Sequence, residues 1–91
     1  MKTFHLHITG KVQGVWYRAS AKDKAIALGL RGMVWNLPDG SVAALVQGAD
    51  QDVASFNEWC KEGPFLAEVN DVFVHEEIST QVFSSFEITR G

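Results

Sequence analysis

Hydrophobic and polar positions alternate near the start of the chain. Between residues 3 and 9 every second position is apolar, and threonine or histidine stands at the positions between, the apolar residues being Phe4, Leu6 and Ile8. A period of two is typical of a β-strand with one buried face. The pattern therefore predicts a first strand over residues 3–9.

A helical period follows from Ala19 to Leu28. This segment is rich in alanine and lysine, Ala21, Ala25 and Leu28 recur at helical spacing, and Gly29 comes directly afterwards. Alanine and lysine favour helix, and a glycine just past the last turn commonly ends one. We predict a first helix that stops at Gly29.

The middle of the chain has the pattern of a β-hairpin followed by a second helix. A β-prone run over residues 32–36 and an alternating segment over residues 41–47 flank the turn sequence Leu-Pro-Asp-Gly. The second helix is expected to have Asp50 as its N-cap and to stop at Glu-Gly-Pro. Its buried stripe is expected to consist of Val53, Phe56 and Cys60.

Two further β-prone segments complete the pattern: residues 67–76, and a short closing strand marked by Phe83, Phe86 and Ile88. The order β-α-β-β-α-β is typical of an α+β, ferredoxin-like sandwich, in which two helices cover one face of an antiparallel sheet. We predict this fold with a short extra C-terminal strand.

Length and composition limit the function. With 91 residues, 46% of them hydrophobic and 21% charged, the sequence predicts one globular domain over residues 1–91. No apolar run is long enough to span a bilayer, and the alternating start is unlike a signal peptide. A single cysteine, Cys60, cannot form an internal disulfide. We expect a cytoplasmic monomer.

Charge is distributed unevenly along the chain. Residues 1–36 contain six basic residues and one acid, whereas the remainder contains two basic residues and ten acids. The net charge of −3 disfavours general binding of nucleic acid. The basic first third of the chain can nevertheless attract a small anion.

The stretch Gly-Lys-Val-Gln-Gly-Val-Trp-Tyr-Arg, residues 10–18, lies between the first predicted strand and the first predicted helix. Backbone N–H groups at the start of a helix lack partners within the helix and favour an anion. Gly14 can let the loop curl around one point, and the planar guanidinium of Arg18 matches phosphate oxygens. The residues expected to form this phosphate cradle are Gln13, Gly14, Val15, Trp16, Tyr17 and Arg18.

Residue types alone leave a simpler alternative open for this stretch. Gly14 would then form an ordinary turn, Val15 and Tyr17 would fill the core, and solvent would surround Arg18. The stretch is neither a Walker A loop nor the G-x-G-x-x-G pattern of dinucleotide sites. Generic phosphate motifs therefore do not decide between the two alternatives.

Three segments carry a resemblance to a known family. Residues 10–18 resemble the G-x-V-Q-G-V-x-[FY]-R signature of the acylphosphatase family, and Gly-Met-Val-Trp-Asn-Leu-Pro-Asp-Gly-Ser-Val, residues 32–42, resembles its second signature, G-[FWM]-V-x-N-x-x-D-G-x-V. Gly-Pro-Phe-Leu-Ala-Glu-Val, residues 63–69, is similar to a segment that follows the second helix in that family. The chain departs from common family residues at Met33, Trp35 and Ala43, none of which matches a catalytic position.

The resemblance implies hydrolysis of acyl phosphates to a carboxylate and inorganic phosphate. Arg18 matches the arginine that holds the phosphoryl group together with loop N–H groups, and Asn36 matches the asparagine that positions the attacking water. No cofactor, metal, nucleic acid or membrane is expected as a partner, and phosphate or sulfate should compete with the substrate. A second hypothesis is a regulatory module that binds an anion in the same cradle without turnover.

Three other groups of residues have structural or weaker interpretations. His5 and His7 share one strand face and could begin a metal site, but the sequence reveals no third ligand. Cys60 is expected to pack in the core rather than to react. Trp16, Tyr17 and Trp35 do not form the aromatic strand motif of RNA-binding domains.

Overall fold

The computed structural model describes residues 2–90. Five strands and two helices follow one another along this part of the chain, in the order β1 Lys2–Lys11, α1 Tyr17–Ala27, β2 Arg31–Asn36, β3 Val42–Gly48, α2 Asp50–Glu62, β4 Glu68–Glu77 and β5 Phe86–Ile88. None of these helices is long and apolar enough to cross a membrane.

The strands form one sheet in the order β4-β1-β3-β2-β5. β1 pairs antiparallel with both β3 and β4, and β2 pairs antiparallel with β3. This arrangement confirms the predicted ferredoxin-like fold. The short fifth strand lies parallel to β2 at the edge, so the complete sheet is mixed rather than purely antiparallel.

The core lies between the sheet and the two helices. Alternate residues of the strands point toward it, as the period of two predicts, and the stripe of α2 meets them from the helical side. The buried cluster includes Leu6, Ile8, Val34, Val42, Val46, Ala21, Ala25, Val53, Phe56, Cys60 and Phe86. Packing against this cluster fixes the height of each helix above the sheet.

The strands differ from their predicted bounds by one or two residues at their ends, and the helix starts and the closing strand need correction. α1 begins at Tyr17, two residues before the predicted start, because Trp16 rather than a polar residue occupies the N-cap position. The N-cap of α2 is Ala49, and Asp50 lies in the first turn instead. Phe83 lies before β5, where its backbone N–H donates to Oε1 of Gln47 at 3.0 Å. The predicted stop of the first helix is confirmed, since Gly29 has a φ of +73°.

Candidate active site

The C-terminal ends of β1 and β2 lie at the same end of the sheet, on either side of β3. Both strands run antiparallel to β3 and therefore parallel to each other, so the loop that follows β1 and the last residue of β2 come together. Ile8, Val42 and Asn36 lie in one row across the three strands. The topology thus brings the two signature segments side by side.

The loop between β1 and α1 has two consecutive features that bend it sharply. Gly14 has a φ of +72°, in the left-handed region that glycine adopts at little cost. Trp16 has a φ of 67°, which bulky residues rarely adopt and which costs about 1–3 kcal/mol when the surrounding structure enforces it. Strain of this kind concentrates at ligand-binding sites. The loop geometry therefore marks this segment as a candidate site.

The N-terminus of α1 offers backbone donors. No side chain of the described residues caps this end, and its first turn contains no acidic residue. The first backbone bond of the helix runs from the N–H of Ser20 to the carbonyl of Trp16 at 3.0 Å. The N–H groups that precede Ser20 have no carbonyl one turn earlier in the helix, so they can bind an anion.

The side chain of Gln13 ties the loop to the turn after β2. Its Nε2 donates to the carbonyl oxygens of Leu37 at 2.8 Å and of Ser41 at 2.9 Å. Both amide protons are therefore used within the protein. Gln13, which the sequence placed among the phosphate-binding residues, can contribute its backbone N–H to the loop, while its side chain holds the loop against the segment that carries Asn36.

An open cavity of ≈ 450 Å³ lies in front of the loop, and both Arg18 and Asn36 line it together with Gln13, Gly14 and Tyr17. A volume of this size suits a small ligand. The cavity thus receives backbone donors from the loop and side chains from two signature segments.

The guanidinium of Arg18 and the amide oxygen of Asn36 lack protein partners among residues 2–90. Arg18 is half-buried and makes no ion pair with any residue between positions 2 and 90. Oδ1 of Asn36 is buried and has no hydrogen-bond partner among the same residues. A buried acceptor without a partner costs about 1–3 kcal/mol. Both residues line the cavity, so the guanidinium of Arg18 is available to a ligand there.

The side chains of Val15 and Tyr17 pack in the core, as the simpler alternative for residues 10–18 predicted for these two residues. Both are buried, and the hydroxyl of Tyr17 donates to the carbonyl of Cys60 at 2.7 Å, which joins the start of α1 to the end of α2. Burial raises the pKa of Tyr17 far above its ordinary value. It also raises the pKa of the Cys60 thiol to about 12, in keeping with the expected structural role of this cysteine.

Two apolar side chains, Trp16 and Ile88, line the cavity beside the polar groups. The sequence analysis did not identify either residue as a contact for the part of a ligand other than phosphate. Trp16 is 76% exposed and Ile88 is 40% exposed, and both belong to the cavity lining. Ile88 comes from β5, whose parallel docking beside β2 brings the C-terminal region to the site. The sequence did not predict which strand β5 pairs with, because a strand of three residues is too short to carry a pattern that specifies its partner.

The two histidines of β1 have different neighbours. Nε2 of His7 lies 2.9 Å from Oγ of Ser41, which itself donates to Asp39, so His7 is the donor in this pair. The hydroxyl and the backbone N–H of Ser41 both donate to Oδ1 of Asp39, and these hydrogen bonds hold the pKa of Asp39 below its ordinary value. His5 instead lies beside His75 and Glu77 of β4, so the structure groups His5 with these two residues and not with His7, the partner considered from the sequence.

Comparisons with known proteins agree with the fold and the signatures. Residues 4–88 match the sequence model of a family described as acylphosphatase. The chain is 51% identical over 87 residues to an acylphosphatase of Thiobacillus denitrificans, covering 96% of each chain. It is 47% identical over 90 residues to one of Methylococcus capsulatus, covering 99% of this chain and 98% of the relative. The crystal structure of an acylphosphatase from Bacillus subtilis has a TM-score of 0.93 at 32% identity, covering 98% of this chain and 99% of that one.

Proposed function

The chain belongs to the acylphosphatase family, and we propose that the loop over residues 13–18 and the side chain of Asn36 carry out its reaction. That reaction is hydrolysis of the carboxyl–phosphate bond of an acyl phosphate to a carboxylate and inorganic phosphate. The observation that carries the proposal is one cavity lined by the loop, the guanidinium of Arg18 and the side chain of Asn36.

The loop and Arg18 bind the phosphoryl group. Backbone N–H groups at the start of α1 and the positive end of the helix dipole favour phosphate oxygens. The guanidinium adds two parallel donors in one plane. Because Arg18 has no acidic partner among the described residues, its charge is available to the equatorial oxygens, where charge accumulates during phosphoryl transfer.

Asn36 orients the attacking water. Its amide can hydrogen-bond a water molecule in line with the departing carboxylate, but it cannot act as a base. The proton of the water therefore passes to an oxygen of the substrate's own phosphate. Fixing the geometry of the attack is the contribution of the asparagine.

The reaction proceeds without a general acid and without a metal ion. The leaving group is a carboxylate whose conjugate acid has a pKa of about 4, so it departs without being protonated. Stabilisation of the phosphoryl charge comes from Arg18 and the loop amides. No further electrophile is needed.

The acyl group lies against Trp16 and Ile88. These two side chains give the cavity an apolar wall next to the polar cradle. An aromatic acyl group would stack on the indole ring, which supports benzoyl phosphate as a substrate. Inorganic phosphate and sulfate occupy only the cradle and compete with the substrate.

A continuous assay of benzoyl phosphate hydrolysis tests the proposal. We expect turnover that inorganic phosphate inhibits competitively. Tight phosphate binding without turnover would instead favour the regulatory module.

We further propose that the chain acts in the cytoplasm as a monomer. A single chain supplies the loop, Arg18 and Asn36 that the proposed mechanism uses. The lone thiol of Cys60 is compatible with a reducing compartment.

A further inference from the structure

Two histidines from different strands lie directly opposite each other on the face of the sheet that the helices do not cover. His5 of β1 pairs with His75 of β4 in the antiparallel ladder. Glu77 lies two residues after His75 and so projects from the same face. Strand pairing therefore brings together three side chains of types that can bind metal, although His5 lies 70 residues before His75 in the sequence.

We propose that His5, His75 and Glu77 form a binding site for a divalent transition-metal ion, with Zn²⁺ as the best match. One potential ligand atom from each side chain lies within 4.8 Å of the other two. The imidazole rings of His5 and His75 are stacked with their centroids 5.0 Å apart. Nε2 of His75 lies 3.6 Å from Oε1 of Glu77.

Zinc requires only a small rearrangement of these side chains. Tetrahedral coordination with bonds of about 2.0–2.1 Å places neighbouring ligand atoms about 3.3 Å apart. The pair formed by His75 and Glu77 is already near that separation. His75 is exposed and Glu77 is partly exposed, so rotations of their side chains can close the remaining gap without moving the strands.

The donor set selects the class of metal. Two imidazole nitrogens and one carboxylate oxygen form a common zinc-binding set, and imidazole suits zinc, copper and nickel rather than magnesium or calcium. Solvent supplies the remaining coordination position at this exposed surface.

His7 provides a matched control because it shares the strand face of His5 but not the cluster. Its Nε2 is hydrogen-bonded to Ser41, and its partner across the ladder is Phe73, which cannot bind a metal. Replacing His7 removes a histidine from the chain and leaves all three proposed ligands in place.

Isothermal titration of the full chain with ZnCl₂ tests the site directly. The parent should bind one zinc ion. His75→Gln and Glu77→Gln should each weaken that binding by at least about tenfold, since even the loss of an outer-shell partner of a metal ligand costs that much. His7→Gln should bind zinc like the parent. Circular dichroism melts of each variant confirm that it is folded, which the exposure of His75 favours.

Three results would overturn the proposal. The first is the absence of saturable zinc binding by the parent, which needs no variant. The second is parental affinity in both folded cluster variants, and the third is an equal loss in His7→Gln. Because the readout is binding rather than hydrolysis, its outcome is independent of the proposed catalytic roles.

Discussion

Replacing Gln13 with alanine should both destabilise the protein and impair catalysis. The change removes two neutral hydrogen bonds, from Nε2 to the carbonyls of Leu37 and Ser41. At about 1 kcal/mol for each bond, the free energy of unfolding should fall by about 2 kcal/mol. For a domain of this size the melting temperature should decrease by about 8–16 °C.

The catalytic effect of the same change follows from what the two bonds connect. They hold the loop with Arg18 against the segment that follows Asn36, so their loss lets the cradle and the water-binding amide separate. A misplacement of about 1 Å can cost about 100-fold in rate, and we expect kcat/KM for benzoyl phosphate to fall by about 10- to 100-fold.

Thermal melting and steady-state kinetics on the Gln13→Ala variant measure both effects. Gln51→Ala is a matched control, because Gln51 is exposed on α2 and its loss should change stability by less than about 0.5 kcal/mol. A Gln13→Ala variant with the melting temperature and the kcat/KM of the parent would contradict the role assigned to the two hydrogen bonds.

Three further predictions concern the thiol, the acyl wall and the metal-free mechanism. Burial raises the pKa of Cys60 to about 12, so the thiol of the folded protein should not react with a chromogenic disulfide reagent at pH near 8. The thiol should react fully in denaturant, and rapid reaction of the folded protein would contradict the prediction. Trp16→Asn places at this position a residue that tolerates positive φ. It should lower kcat/KM for benzoyl phosphate about fivefold more than for acetyl phosphate, and equal losses would argue against stacking. Activity should persist in strong chelator and vary little between about pH 5 and 8, since the proposed mechanism uses no general acid or base from the protein. A chelator-sensitive rate restored by a divalent ion would show that a metal takes part.

The sequence predicted the fold because its local and global signals agree. Alternation in β1, the alanine-rich α1 and the glycine after it each favour the element that the structure contains. The boundary of α1 was wrong because Trp16 adopts a left-handed conformation, which residue preferences make the least expected choice for tryptophan. Its surroundings, rather than its own propensity, determine that conformation.

The features that the sequence did not predict depend on pairing between strands that are distant in the sequence. The metal-binding cluster depends on the register of β1 against β4, which pairs His5 with His75, and no local pattern encodes that register. The contact of Ile88 with the cavity depends on the parallel docking of β5 beside β2. Arg18 and Asn36, by contrast, were candidates from the sequence because each lies within a signature segment.

Phosphate binding and turnover, measured separately in variants of Arg18 and Asn36, test the roles proposed for these two residues. Arg18→Gln should weaken competitive inhibition by phosphate and also lower kcat, whereas Asn36→Ala should lower kcat by about 100-fold and leave the phosphate inhibition constant unchanged. Arg31→Gln and Asn57→Ala are matched controls. Arg31 is exposed on β2, and Asn57 has a buried amide oxygen that lacks a partner among residues 2–90 and lies outside the cavity lining. A folded Asn36→Ala variant with parental kcat, or a folded Arg18→Gln variant with parental phosphate affinity, would contradict the proposed roles.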